Sequence, residues 1–332
     1  MTLRQAQGAA AAHGSPGAES TETDLPEIAV AARDEASGTV LDPAARDAGA
    51  ESGPPPRRTS IARLFARGRR PSWTLVLAIA VVAIAVLWAI APWLFSGYDP
   101  IDGVPADKLQ PPSAAHWFGT DQIGRDLYTR VVHGAIHSLS GALIAVTVGL
   151  ALGTTLGVIA GAVGGLLDDI LMRIVDVLLS IPGLLLSLSI IILLGFGTVN
   201  AAIAVGIGSV ASFARLSRSE VVRVRRSDYV EAAFGSGGTF LGVLWRHVLP
   251  NSLTAVIALA ALQFGAAILA ISTLGFLGYG APPPTPEWGL LIAEGRNYVA
   301  TAWWLTALPG LVVVVVVLSA NRISQSLGRS SR

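Results

Sequence analysis

The feature that most restricts this chain is a series of long blocks almost empty of charge, over 74–95, 138–162, 170–194, 199–213, 253–274 and 300–320. A helix needs about 20 apolar residues to cross a hydrocarbon core ~30 Å thick, and most of these blocks have that length. Only 14% of the 332 residues are charged, against roughly a quarter in soluble domains. The expected fold class is therefore an all-α integral membrane protein with six transmembrane helices. Cysteine is absent, which excludes disulfides, thiolate metal sites and thiol redox chemistry. No metal site is expected, and the net charge of +1 gives no ground for a nucleic-acid partner.

Residues 1–56 are rich in Ala, Gly, Ser, Pro, Asp and Glu and short of aliphatic side chains. Such a segment cannot bury enough surface to offset its ordering entropy, so a disordered tail is expected there. The first apolar run begins too late, and is too long, for a secretory signal. The segment 57–73 carries Arg57, Arg58, Arg63, Arg67, Arg69 and Arg70. A second arginine group, Arg215, Arg218, Arg223, Arg225, Arg226 and Arg246, follows the fourth block, and Arg322, Arg329 and Arg332 close the chain. Only Lys108, Arg125, Arg130 and Arg296 fall in the alternate loops. By the positive-inside rule both termini and the 215–250 loop are expected in the cytoplasm.

Within the second block Gly149, Gly153, Gly157, Gly161 and Gly165 recur every fourth residue. In lipid, helices associate largely by close backbone approach, and a ridge of small residues permits it. The ridge serves packing inside this chain or, in a second reading, a subunit or sliding contact. Asp169, Arg173 and Asp176 share one helix face, as an ion-pair ladder or as groups at the mouth of a pathway. Pro182 is expected to kink the third span. Asp176, Ser180, Gln263, Ser272 and Thr273 are the candidate pathway-lining residues. HWFGTDQIGRDLYTR, at 116–130, holds neither metal-ligand spacing nor a nucleophile with a base, and a structural surface helix is expected. The proline-rich loop 278–289 is expected to be stiff. Trp288, Trp303 and Trp304 are expected in an aromatic belt.

The stretch 228–251 is too polar to span and too patterned for an idle loop. Asp228 with Glu231 fits a capping box that starts a helix, which Gly235, Gly237 and Gly238 then interrupt. Thr239 fits a second cap, and Phe240, Leu241, Leu244, Trp245 and Val248 fit one apolar face. Pro250 is expected to end that helix, leaving Asn251 or Ser252 to cap the next span. The result is a helix–joint–helix element with a small-residue tip at Ala232, Ala233 and Gly237. It suits a partner's groove, or else it rests on the membrane surface. GSGGT lacks the lysine that a Walker A loop requires, and Ser236 with His247 has no third group or oxyanion site.

EAAFGSGGTFLGVLWRHVLP resembles the EAA signature of ABC-importer permeases: Glu231, Ala232 and Ala233, then Gly237, then Leu249 and Pro250. FGTDQIGRDLYTR, GAVGGLLDDILMRIVDVLLSIPG, LPNSLTAVI, STLGFLGYGAPPPTPEWG and WWLTALPG resemble, in order, the C-type permease subunit of dipeptide and oligopeptide importers. The resemblance covers about 73–328. Phe234-Gly235-Ser236 departs from it by interrupting a helix usually unbroken there. It implies a type I ABC-importer permease fold over 74–328, in a bacterial inner membrane, with a short cytoplasmic end at 329–332. It implies a homologous B-type permease, ATP-binding subunits docked on a coupling helix that includes Asp228, and an extracytoplasmic substrate-binding protein. ATP and magnesium would then sit on the partners, and this chain would bind no cofactor and catalyse nothing. Relatives of this architecture that take nickel, glutathione or haem offer a second cargo reading. A stand-alone secondary transporter is a different class, against which the nearly uncharged span centres weigh.

Overall fold

The computed structural model describes residues 73–330, with side chains to Ser326. The tail expected at 1–56, the arginines of 57–72 and residues 331–332 lie outside the described residues. The described chain is helical, and one isolated bridge, Thr120 to Asp126, is its single strand-like pairing. We number the helices α1 (Trp73–Ile90), α2 (Leu127–Val163), α3 (Gly165–Ser180), α4 (Gly183–Leu194), α5 (Thr198–Arg225), α6 (Asp228–Gly235), α7 (Phe240–Val243), α8 (Leu249–Phe276), α9 (Trp288–Gly295) and α10 (Trp304–Ser330). Five are long and apolar enough to cross a membrane, or six when the bent pair α3–α4 counts as one.

α1 is apolar all round and buries only Ala78 and Ala85, which is how a helix looks when lipid rather than protein covers it. α2 has 37 residues, ~55 Å at 1.5 Å per residue, well beyond a ~30 Å core. It starts at Leu127 rather than near 138 because Asp126 caps it, accepting from the Thr129 amide at 2.7 Å. Of its early polar residues, Arg130 reaches Asp121 in the preceding loop and Glu294 of α9, and Ser138 accepts from the Trp288 amide.

The third apolar block bends at Pro182, as expected, but so sharply that it is two helices. Ile181 adopts an extended backbone before Pro182, α3 ends at Ser180, and α4 leaves at 97°. The fourth block continues as helix to Arg225, far past its apolar part. Ala214, Ser217, Val221 and Val224, spaced three and four apart, are buried beneath a polar outer face.

α2 and α5 run parallel and form the most extensive helix pair. A Cβ added at Gly153 would overlap the Val210 carbonyl and lie 2.6 Å from Phe213 Cβ. At Gly157 it would meet the Ala214 carbonyl, and at Gly149 the Ser209 hydroxyl. At Gly161 an added Cβ would lie 2.9 Å from the Arg218 carbonyl oxygen. The glycine ridge is therefore a seam inside this chain. Gly165 does not belong to it: it opens α3 at φ +63° with open space where a Cβ would stand.

Candidate functional site

One end of the bundle carries the α6–α7 element. Asp228 is the first residue of α6 and Glu231 lies in its first turn, where both carboxylates favour the positive helix end. The capping box does not form. Ser227 holds the cap position, and its hydroxyl turns back to the Val224 carbonyl. α6 closes in a Schellman arrangement, with the Gly237 amide on Phe234 O and the Gly238 amide on Ala233 O, 3.0 and 3.1 Å. Gly237 sits at φ +88°, which only glycine adopts without strain. Gly238 matters for a different reason, missed in the sequence: a Cβ there would meet Ala233 O at 2.6 Å and Val243 at 2.8 Å.

Glu231 and Ala232 are exposed, while Ala233 packs against the cluster of Val230, Val243 and Val248. Thr239 accepts from the Gly242 amide at 3.3 Å and caps α7. The expected apolar face splits. Val248 and part of Leu244 turn inward, whereas Phe240, Leu241 and Trp245 are 43%, 63% and 70% exposed. Pro250 does not end the helix. A π turn over Leu244–Val248 joins α7 to α8, the Leu249 amide bonding back to Leu244 O. Widening the turn before Pro250 accommodates its missing N–H. Asn251 and Ser252 do not cap; their side chains donate to His247 O and Leu249 O, 2.7 and 3.1 Å.

The Asp169–Arg173–Asp176 ladder does not form either. The ion pairs run between helices: Arg218 of α5 grips Asp168 of α3 through two bonds of 3.0 and 2.7 Å, and Arg215 pairs with Asp176. Sequence reasoning passed over Asp168, although α5 offers two arginines three residues apart, one for Asp168 and one for Asp176.

Between α2, α4, α5 and α8 lies a cavity of about 220 Å³. Small and uncharged residues line it, with Ser187, Ser209, Ser212 and Gln263 as its polar groups. Of the candidate pathway residues only Gln263 lines it. Asp176 is held by Arg215, and Ser180 and Thr273 bond to their own helices. Ser272 is buried where the Gly289 backbone crosses α8. Gly183 and Leu184, just after the α3–α4 break, border the cavity, so the break shapes its wall.

The opposite end is closed by an ionic core. The stretch 120–126 is a tight turn, not a surface helix. Arg130 is fully buried and reaches Asp121 and Glu294, both at 2.8 Å, while Arg125 holds Asp121 at 2.6 Å. Burial works against ionisation of Asp121. The amides of Arg125 and Ile123 and the Arg125 guanidinium outweigh it and hold the carboxyl below its usual range. Trp288 and Trp304 do not stand in an aromatic belt: they are core residues bonding Val131 O and Thr120 O, and only Trp303 is exposed. Among the described residues, no group of His, Asp and Glu is placed to hold a metal ion.

Glu287 lies beside this core. It is fully buried and accepts the Ala281 amide at 2.6 Å on one oxygen, while the other has no partner. Burial raises its pKa, and the Ala281 bond only partly opposes this. A raised carboxyl favours the fold below the ordinary glutamate range, and that contribution is lost as pH rises through the folded value. Glu287→Gln is therefore expected to raise the melting temperature more at pH 8 than at pH 4, read by thermal denaturation in detergent. An equal shift at both would refute it.

A bundle with a split span, a small uncharged cavity and a projecting helix–joint–helix is the build of a transport permease. The chain belongs to the family of binding-protein-dependent transport system inner membrane components, whose model matches residues 153–332. It is 40% identical over 248 residues to the probable D,D-dipeptide transport system permease protein DdpC of Escherichia coli K12, covering 75% of this chain and 83% of that one. It is 41% identical over 252 residues to the dipeptide transport system permease protein DppC of Alkalihalophilus pseudofirmus, 76% and 83% of the two chains. To the glutathione transport system permease protein GsiD of Shigella flexneri it is 38% identical over 271 residues, 81% and 89%. An inward-facing structure of the MetNI methionine ABC transporter superposes with TM-score 0.52 at 17% identity, over 62% of this chain and 98% of that one, and bears on the fold alone.

Proposed function

We propose that this chain is the pore-forming permease of an ATP-driven importer of di- and oligopeptides in a bacterial cytoplasmic membrane. In this reading it pairs with a homologous permease, ATP-hydrolysing subunits grip the α6–α7 element, and a binding protein delivers cargo from outside. The chain itself catalyses nothing and holds no cofactor; ATP and magnesium sit on the partners. The observation that carries the reading is α6–α7 itself. A Schellman closure at Gly237 fixes a protruding helix that offers Glu231 and Ala232, next to the exposed Phe240, Leu241 and Trp245. Exposed aromatics beside a rigid turn suit a protein groove.

Charge supports a cytoplasmic position for this element and, with it, for both termini. Arg215, Arg218, Arg223, Arg225, Arg226 and Arg246 gather at the α6–α7 end. The opposite loops hold fewer basic residues, Lys108, Arg125, Arg130 and Arg296, and the side with the excess of arginine is the cytoplasmic one. In the proposed cycle, closure of the ATPase pair moves α6–α7. The α2–α5 seam follows as one body, and the chain yields at the π turn and at the α3–α4 break. The cavity between them then opens to alternate sides.

The peptide cargo rests on the dipeptide relatives, with glutathione, itself a small peptide, as the second reading from GsiD. A cavity without charged side chains suits cargo whose side chains vary while its amide groups do not. The test is uptake of labelled alanyl-alanine by proteoliposomes holding the complete transporter, with glutathione as competitor. ATP-dependent uptake is expected, and uptake by this chain alone, driven by an ion gradient, would overturn the reading. Gln263→Leu should raise the KM for peptide about threefold to tenfold, the loss of one hydrogen bond. An unchanged KM would remove Gln263 from the pathway.

A further inference from the structure

The α6–α7 element is joined to the spans covalently at Ser227 and at the π turn, and also by one guanidinium. Arg225, the last residue of α5, donates to Gly161 O at 3.0 Å and Ala162 O at 2.5 Å. These are last-turn carbonyls of α2, for which the helix itself supplies no donors. The same guanidinium lies 5.8 Å from the ring centroid of Phe240, the first residue of α7. A cation within about 6 Å of an aromatic face is attracted to it. Capping α2 would need only the two carbonyls; the ring contact links that cap to the protruding element. Around it Ala162, Val221, Val224, Val230 and Val243 form one apolar cluster, so α7 cannot slide over α2 without shearing it.

We infer that Arg225 is a positioning residue that carries the displacement of α7 to the C-terminal end of α2, and so through the α2–α5 seam to the cavity wall. This rests on the proposed coupling role of α6–α7. A guanidinium is suited to it because its planar fork serves two carbonyls while its face meets a ring, which a lysine ammonium does not reproduce. Arg225→Lys keeps the charge and most of the packing.

The experiment compares basal with binding-protein-stimulated ATP hydrolysis by the complete transporter in proteoliposomes. Arg225→Lys is expected to retain its ATPase subunits and basal rate while the stimulated-to-basal ratio falls about fivefold or more. Phe240→Leu should lower the ratio as well, and Phe240→Tyr, which keeps the ring, should preserve it. A wild-type ratio in Arg225→Lys overturns the inference. So does a parallel fall of both rates with the amount of assembled complex, the mark of a residue that only holds the fold. Glu231→Lys separates the two layers. If it keeps its ATPase subunits the coupling role fails, whereas if it sheds them while Arg225→Lys keeps a wild-type ratio, only the role of Arg225 fails.

Discussion

Replacing Gly153 with leucine is expected to prevent the chain from folding in the membrane. The α2–α5 seam is set by direct backbone approach: a single added Cβ would overlap the Val210 carbonyl and lie 3.1 Å from the Ala214 amide nitrogen. Neither atom can rotate away, so relief requires the two helices to part along the seam. Overpacking a core commonly costs about 1–3 kcal/mol, and a clash against backbone belongs at or beyond the top of that range. Gly310 is the control, since it lies within α10 and nothing stands within 4 Å of its added Cβ. Gly310→Leu should accumulate and melt like the wild type, while Gly153→Leu yields little monodisperse protein. Equal yield and melting temperature for the two variants would show that the seam is not closed as described.

The second large effect is expected at Arg130. Its guanidinium is wholly buried and holds Asp121 and Glu294 together at 2.8 Å each. Breaking a buried ion pair costs about 3–5 kcal/mol, and here the two carboxylates would be left to Arg125 alone, which holds Asp121 at 2.6 Å and Glu294 only at 3.4 Å. Arg130→Met should therefore destabilise the chain by that order. Adding Glu294→Gln should restore part of the loss, a non-additivity that a double-mutant cycle measures. Salt should change the effect little, since buried pairs are poorly screened. Additive losses that shrink at high salt would mark the cluster as exposed.

The apolar blocks made the spans legible because lipid demands length and the absence of charge. They were blind where protein rather than lipid covers a helix. Leu127 to His137 is helical through the Asp126 cap and the packing of α9, and Arg215–Arg225 through a buried row under a polar face. The glycine ridge was legible as packing, but its partner was not, since Gly206 and the Phe213 neighbourhood carry no comparable repeat. At α6–α7 the glycine joint could be read directly, because Schellman closure needs glycine at one position. The Pro250 reading failed because a π turn absorbs the missing N–H, and no sequence rule marks such a turn. In the cavity, Ser187, Ser209 and Ser212 escaped notice because the sequence does not mark which serines face a void, and Ser209 does so while its hydroxyl bonds Gly206 O of its own helix.

Whether α6–α7 is the docking point for ATP-hydrolysing subunits is tested most directly by co-purification. The chain is expressed with its partner subunits and solubilised gently, with wild type and Glu231→Lys compared at equal amounts of folded chain. Glu231 is exposed, so the charge reversal costs the fold only its helix-end interaction, about 0.3–1 kcal/mol, and comparison at equal folded chain removes that effect. The coupling account predicts that ATPase subunits accompany the wild type and fall about tenfold in the variant, as expected for reversing a charge within an interface. Equal amounts of ATPase with both, or none with either, would contradict it.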